Sequence, residues 1–388
     1  MSEGSSDATL EGVDFYRHQL GDAEVEALRE TIGSLFLTTG PKTKAFEEAL
    51  AARLGVKHAV GLSSCTSALF LALKGLGIGP GDEVITTPMT FIATANVILH
   101  CGARPVLIDV EPDTGNLDVA NVAGAMTEKT RAILPVHLYG QMVDIVSLQK
   151  LADERQVHVI EDAAHAVEAA RDRLCPGKAS KGAAFSFYAT KNLACGEGGA
   201  FATDDDELAA RVRTLRSHGM SKEAYGRYHG AYTHWDMTEL GYKANLPDIL
   251  ACVLLPQMPK IDERRDKRQK LWETYRDALS SAGLLGERVQ IPAVREASVH
   301  SHHLFTAWVA PDRRDDVLGA LQAEKIGVAV NYRAIHLLTY YRETFGYDRG
   351  AFPHAERIGD STLSLPFFVD MTESQVARVV DALARALR

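Results

Sequence analysis

No stretch of about 18 consecutive apolar residues occurs in this 388-residue chain, so a membrane-spanning helix is not expected. Basic residues are in deficit. Lys and Arg total 42 against 51 Asp and Glu, a net charge of −9, which argues against gripping nucleic acid or an anionic membrane over a broad face. The opening residues, MSEGSSDATLEGVDF, lack the basic and apolar regions of a secretory signal and read as a loose tail over residues 1–15. Cysteine is scarce: Cys65, Cys101, Cys175, Cys195 and Cys252 are odd in number, far apart and without CxxC spacing. That pattern excludes a disulfide framework and a thiolate metal site, and fits reduced thiols in a cytoplasmic protein. Internal repeats and low-complexity tracts are also missing, and a composition of 46% hydrophobic and 24% charged residues excludes a disordered chain.

What is present is an alternation of short apolar runs and helical patterns. Strands are expected at His58–Leu62, Glu83–Thr87, Pro105–Val110, Ala132–Val136, Val157–Glu161, Ala184–Tyr188 and Ala200–Thr203. Helices are expected between the early ones, at Thr66–Leu76, Ala93–His100, Asp118–Met126 and Asp144–Glu154. Several strands are almost continuously apolar, as a sheet covered on both faces requires. The rhythm predicts an α/β fold, a three-layer αβα arrangement around a mostly parallel seven-stranded sheet. At roughly 150 residues per domain the length allows two domains, or one large and one small. The expected division is a tail over 1–15, a large domain over 16–245, and a long charged helix with a small α+β domain over 246–388. In the latter, Pro247–Ala282 reads as helix, Leu304–Ala310 and Gly327–Asn331 as strands, and Arg314–Glu324 and Glu373–Leu387 as helices. Ser217–Tyr242, rich in Gly, Tyr and His, reads as a long functional loop. The run GLGIGPG at 75–81 follows a helix instead of a strand, so it reads as a helix stop; a dinucleotide fingerprint needs the reverse order.

Four segments at strand ends carry chemistry, each with a plain reading beside the functional one. In FSFYATKNLACGEGGAF (185–201), Lys191 follows an apolar strand and precedes Gly196, Gly198 and Gly199; it reads as a shielded amine nucleophile or as a surface lysine. In VHVIEDAAHA (157–166) a buried strand ends in Glu161 and Asp162. An acid there needs a partner, such as a protonated pyridine nitrogen, or serves as a helix cap. His165 is one turn further on, a ligand or a packed core histidine. In GLSSCTSAL (61–69), Ser63, Ser64, Thr66 and Ser67 start a helix, as a phosphate seat or as ordinary caps. In TTPMTFIATA (86–95), Phe91 stacks on a flat ring or fills core. A phosphate seat, a ring stacker, a buried acid and a lysine at the ends of one sheet are together the set a pyridoxal phosphate enzyme needs.

These segments, with LTTGPKTKAFEEALA, LPVHLYGQMVDI, GYKANLPD and SLPFFVDMTESQVARVV, resemble the DegT/StrS family of nucleotide-sugar aminotransferases over the chain from about Leu37 onward. The resemblance implies the fold type I of pyridoxal 5′-phosphate transferases. It implies that Lys191 is the Schiff-base lysine and proton shuttle and that Asp162 holds the pyridine nitrogen. Phe91 would stack on the ring and His165 would sit near its hydroxyl. Cys65, Thr66, Ser67 and Ser186 would surround the phosphate. Asn245 would reach the cofactor of a neighbouring subunit, making a homodimer with shared sites. The segment NYRAIHLLTYYRETFGY (331–347) most resembles relatives that aminate C4 of UDP-linked 4-keto sugars, which makes Tyr332, Arg333 and His336 the candidates for substrate contact. A bidentate guanidinium suits a donor carboxylate or a sugar diphosphate, and a structural ion pair is the alternative for Arg333.

The activity so implied is transfer of an amino group from L-glutamate to the keto carbon, C4, of a nucleotide-linked keto-deoxy sugar, for cell-surface glycan or natural-product biosynthesis. Alternatives are amination at C3 or of a cyclitol, a dehydratase (disfavoured because Lys191 stands where that branch has His), and a non-catalytic cofactor-binding regulator. Since Cys65 and Cys195 lie inside the phosphate and lysine segments, thiol reagents are expected to inactivate the enzyme without either thiol being catalytic.

Overall fold

The computed structural model describes residues 12–221 and 234–388. The strands are β1 (His58–Leu62), β2 (Glu83–Thr86), β3 (Arg104–Leu107), β4 (Thr130–Ile133), β5 (His158–Asp162), β6 (Ala170–Arg171), β7 (Gly182–Ser186), β8 (Gly199–Thr203), β9 (Ser298–Val299), β10 (Phe305–Trp308) and β11 (Thr362–Leu365). Seven of them form one sheet in the order β1-β8-β7-β5-β4-β2-β3. β8 runs antiparallel to both neighbours and every other pairing in that sheet is parallel. Together with the helices packed on both faces, this is the α/β architecture expected from the sequence.

Strand alternation divides the apolar residues between two cores. Val159 of β5 and Phe185 of β7 face Phe46, Leu50 and Leu148. Ile160 and Ala184, their neighbours in sequence, face the opposite way, toward Val60, Leu71, Ile98 and Phe201. β7 begins at Gly182 because only glycine can: its φ is +155°, and a Cβ would lie 2.3 Å from the Phe201 ring. The expected strands at 105–110 and 132–136 end earlier than their apolar runs. Beyond Leu107 and Ile133 the chain leaves the ladder, and Val110 and Val136 make only isolated bridges, to Leu117 and Asp162. The expected helix at 118–126 is a 3₁₀ turn, Val119–Asn121, and a single α-turn, Val122–Ala125. The 75–81 run does stop a helix, Cys65–Gly75, with Gly77 at φ +78°.

A third core lies in the C-terminal part. β10 and β11 pair antiparallel, and Phe305, Leu363 and Leu365 pack on Tyr275, Val317 and Val379. Helices Arg314–Ala323 and Glu373–Ala386 flank them, the second opened by a Thr372–Gln375 capping box. The expected strand at 327–331 is not one; its bridge to β11 is the isolated one between Ala329 and Ser364. The long charged helix is broken into Asp248–Leu254, a 3₁₀ stretch Leu255–Lys260 containing Pro259, and Ile261–Ser281. An internal proline removes a helix hydrogen bond and crowds the preceding turn. The run joins the cores: Ala251 and Leu254 pack with Phe187 and Leu246, while Leu271 and Tyr275 pack with Phe305.

Of the stretch read as a tail, residues 1–11 lie outside the described residues, and 12–15 are not loose. Val13 is buried and is hydrogen-bonded on both sides, to Lys325 and Gly327, because its apolar side chain completes the third core. The expected loop at 217–242 is only partly described, with 222–233 outside; its ends are held together by Ser217–Lys243 and Met220–Met237 bridges. No helix among the described residues is long and apolar enough to cross a membrane.

Candidate active site

The carboxyl ends of β1, β5 and β7 open onto a cleft of about 550 Å³, lined among others by Cys65, Thr66, Phe91, Asp162, His165, Ser186, Lys191 and Tyr332. Crevices at such strand ends are where α/β sheets bind ligands. Alternation at the end of β5 assigns the two acids to different places. Glu161 turns into the core, where His137 Nε2 lies 2.6 Å from it and Gly177 N–H donates to it at 2.8 Å. Asp162 turns into the cleft: Thr94 Oγ1 donates to its Oδ2 at 2.7 Å and Ala164 N–H donates to its Oδ1 at 3.1 Å. Thr94 Oγ1, in helix Ala93–His100, is itself 2.7 Å from Thr90 Oγ1 in the bend before that helix, so a hydroxyl pair holds the acid.

Lys191 follows β7 on a turn closed by its own N–H donating to Tyr188 O at 2.8 Å. Burial lowers its ammonium from the ordinary 10.5 to about 8, opposed by Cys65 and Asp162. Its Nζ is 3.4 Å from His303 Nε2. His165, 4.4 Å from His303 between ring centres, accepts Tyr139 N–H on Nδ1 at 3.2 Å, so its neutral ring carries hydrogen on Nε2, 3.0 Å from Tyr332 Oη. Burial and the Lys191 charge hold His165 well below the usual histidine range. The Tyr332 ring lies 5.9 Å from that of Phe91, which is 55% exposed and so offers an open face.

The hydroxyl-rich segment opens helix Cys65–Gly75. Ser64 caps it by accepting Ser67 N–H at 3.0 Å, and Ser67 Oγ is 3.0 Å from both Ser63 Oγ and Ser64 Oγ. The N–H groups of Cys65 and Thr66 in its first turn have no intrahelical partner by geometry, and both residues line the cleft. Gly199 sits beneath, and a Cβ there would lie 2.2 Å from Ser64 C and 2.4 Å from Cys65 N. Gly199→Ala therefore has to push the helix start out of place. We expect it to weaken phosphate-anchored ligand binding at least tenfold in a titration, beyond any loss of thermal stability.

Ser67, its hydroxyl between Ser63 and Ser64, does not itself line the cleft, and three further sequence candidates lie elsewhere. His336 is a correction: it is fully buried, bonded to Glu356 at 3.0 Å and packed edge-on against Phe352 at 4.8 Å, so it serves the protein interior and cannot meet substrate. Arg333 is exposed and does not line the cleft, although its neighbour Tyr332 does. Asn245 lies outside its own chain's cleft, donating to Thr39 at 2.6 Å. Conversely, Thr90, Thr94, Tyr139, Asn192, His303 and the cleft-lining Phe15 escaped sequence reasoning. The Thr90–Thr94 spacing and the two histidines set just before an apolar strand in SHHLF were the available signals. The thiol expectation also changes. Cys65 and Cys195 are buried; burial raises the first well above 9 and the second to about 12. Thiolate is the reactive form. Iodoacetamide at pH 7.5 should label both at least about 100-fold more slowly than free cysteine, by peptide mass spectrometry.

Residues 18–384 match the family model described as the DegT/DnrJ/EryC1/StrS aminotransferase family. The chain is 41% identical over 372 residues, 94% of each sequence, to the spore coat polysaccharide biosynthesis protein SpsC of Bacillus subtilis. Among solved structures, S. venezuelae DesV, determined in complex with a ketimine intermediate, superimposes with a TM-score of 0.87 at 34% identity, covering 97% of this chain and 99% of that one. DesI, determined in the presence of its TDP-sugar product, gives 0.86 at 30% identity, covering 98% and 94%.

Proposed function

Since the chain belongs to the DegT/DnrJ/EryC1/StrS aminotransferase family, we propose that it moves an amino group from L-glutamate to the C4 keto carbon of a nucleotide-linked keto-deoxy sugar. Members of the family are pyridoxal 5′-phosphate-dependent transaminases. The cleft suits that cofactor in size and in its donor set: an amine, an acid, a hydroxyl-rich helix start and an open aromatic face. Thr66, Ser67 and Ser186 would hold the phosphate, Asp162 the ring nitrogen and His165 the ring hydroxyl, with Phe91 against the ring. When bound, the cofactor supplies an electron sink and a carrier for the amino group.

The chain's own residues do the rest. Thr94 and the Ala164 N–H orient Asp162 so that it need not reorganise as charge develops. Lys191, with an ammonium lowered to about 8, keeps a share of neutral amine near neutral pH. Its Nζ can take a proton at one carbon and return it at another, as base and then acid. Glutamate leaves as 2-oxoglutarate in the first half-reaction and the sugar ketone is aminated in the second. The observation that carries this reading is Lys191 and Asp162 converging on one cleft beside the hydroxyl-rich helix start.

In the same reading the enzyme is a cytoplasmic homodimer. Asn245, held by Thr39 outside its own cleft, reaches the cofactor phosphate of the other subunit. Arg333, exposed beside Tyr332, meets the sugar diphosphate or donor carboxylate. Arg333→Ala should then raise the KM of the sugar, or of glutamate if the donor carboxylate is its partner, about tenfold and leave kcat nearly unchanged, the signature of binding lost equally from ground and transition states. The test of the whole is a panel of nucleotide 3-keto and 4-keto sugars with glutamate, with product stereochemistry read by NMR. Amination at C4 with stoichiometric 2-oxoglutarate supports the proposal. Exclusive amination at C3 or of a cyclitol, or sugar consumption without glutamate consumption, contradicts it.

A further inference from the structure

We propose that His303 is a positioning residue for Lys191, locked as an acceptor by a buried relay through Asn192 and Glu168 to Arg268. This deepens the reading above, since it takes Lys191 as the reacting amine.

The relay starts at a buried ion pair between Arg268 and Glu168, whose side chains are 4% and 0% exposed. Arg268 Nε also donates to Ser301 O at 3.2 Å. Asn192 Nδ2 donates to Glu168 Oε2 at 3.0 Å and to Ser301 O at 2.9 Å. Both partners accept only, so both amide hydrogens are committed and the amide cannot be reversed. Its Oδ1 is left facing His303 Nδ1 at 3.4 Å. An amide oxygen donates nothing, so Nδ1 of His303 carries the hydrogen. In the neutral ring Nε2 is then a bare lone pair, and it points at Lys191 Nζ, 3.4 Å away.

The neutral ring is what the surroundings favour. Burial, then the Lys191 charge and the neighbouring His165 and Arg268, hold His303 well below the usual histidine range. Across the 4.4 Å contact His165 has the opposite tautomer, hydrogen on Nε2, because its Nδ1 accepts Tyr139 N–H. The two rings thus divide the work: His165 presents a donor toward Tyr332 and the cleft, and His303 an acceptor toward the amine. A lysine with one N–H spent on a fixed acceptor is restricted in direction, which is what a group that must reach two carbons in turn requires. The acceptor also supports the ammonium form against burial, so Lys191 is not driven to a permanently neutral amine too weak to return the proton. The charged or titratable groups facing Lys191 are Cys65, Asp162, His165 and His303.

The experiment is competitive acetylation of the full-length, cofactor-stripped protein with acetic anhydride across pH, quantified for Lys191 by peptide mass spectrometry. In the wild type the labelling midpoint should fall near 8. His303→Leu removes the acceptor and should lower the midpoint by about one unit or more. His303→Gln, whose amide oxygen reaches the Nε2 position, should restore at least half of that shift. An unmoved midpoint in His303→Leu, or a Gln variant no better than Leu, overturns the proposal. Should His303→Leu not fold, ¹⁵N NMR of histidine-labelled wild type decides instead: hydrogen on Nδ1 of His303 supports the relay, and hydrogen on Nε2 overturns it. Neither measurement uses substrate, so failure of the relay in an active aminotransferase, and an intact relay in a protein that aminates no sugar, are separately visible.

Discussion

Lys191→Ala is expected to cut amino transfer at least about 10⁴-fold, because in the proposed mechanism one amine both anchors the cofactor and moves the proton in each half-reaction. The loss should fall on kcat, and should be the same whichever half-reaction is followed. The surrounding structure should tolerate the change: Lys191 is not part of an apolar core, and its backbone N–H bond to Tyr188 does not depend on the side chain. The cost is then chemical, which thermal melts of the variant can verify. The wild type also has an expected pH signature. A lysine depressed to about 8 is mostly ammonium below that pH and mostly amine above it. Capture of added cofactor by the stripped enzyme should therefore accelerate as pH rises through about 8, and level off above it. A rate still climbing toward the ordinary lysine value of 10.5 would show that burial does not tune this amine.

Asp162→Asn is the second large effect, expected to lower kcat by about 10²- to 10³-fold, the range seen when one preorganised electrostatic partner is removed. Asparagine has the same shape, and the Ala164 and Thr94 contacts can be rebuilt around it. It cannot supply the acid that pairs with a protonated ring nitrogen. The substitution should leave cofactor content nearly unchanged while slowing both half-reactions, a split that separates an electronic role from an anchoring one. Thr94→Val provides the graded comparison. It removes the hydroxyl donor at 2.7 Å while the acid remains, and should cost about tenfold or less.

The sheet was readable from sequence because a parallel sheet covered on both faces demands apolar runs, and those runs are visible as such. Strand ends were less readable. Whether Val110 or Val136 stays in the ladder depends on where the chain turns away into the cleft, and an apolar residue is buried either way. Lys191, Asp162, Phe91 and the serine-rich helix start were visible as candidates, since each stands at the end of an apolar strand or within a few residues of it, and the fold brings them to one cleft. Glu161 and Asp162 illustrate the limit: adjacent acids look alike in sequence, and strand alternation alone decides that one joins His137 and the other the cleft. His336 was misplaced because a histidine one turn from an exposed arginine reads the same whether it faces substrate or a buried glutamate. His303 and Asn192 were missed because their meaning comes from residues far off in the chain, Glu168 and Arg268, brought together only by folding.

The most direct test of the central claim is reductive trapping. The protein is incubated with pyridoxal 5′-phosphate, reduced with borohydride and mapped by peptide mass spectrometry. One stoichiometric modification on Lys191, absent from Lys191→Ala and prevented by prior conversion with glutamate, is the expected result. Label spread over surface lysines with Lys191 unmodified would contradict the account.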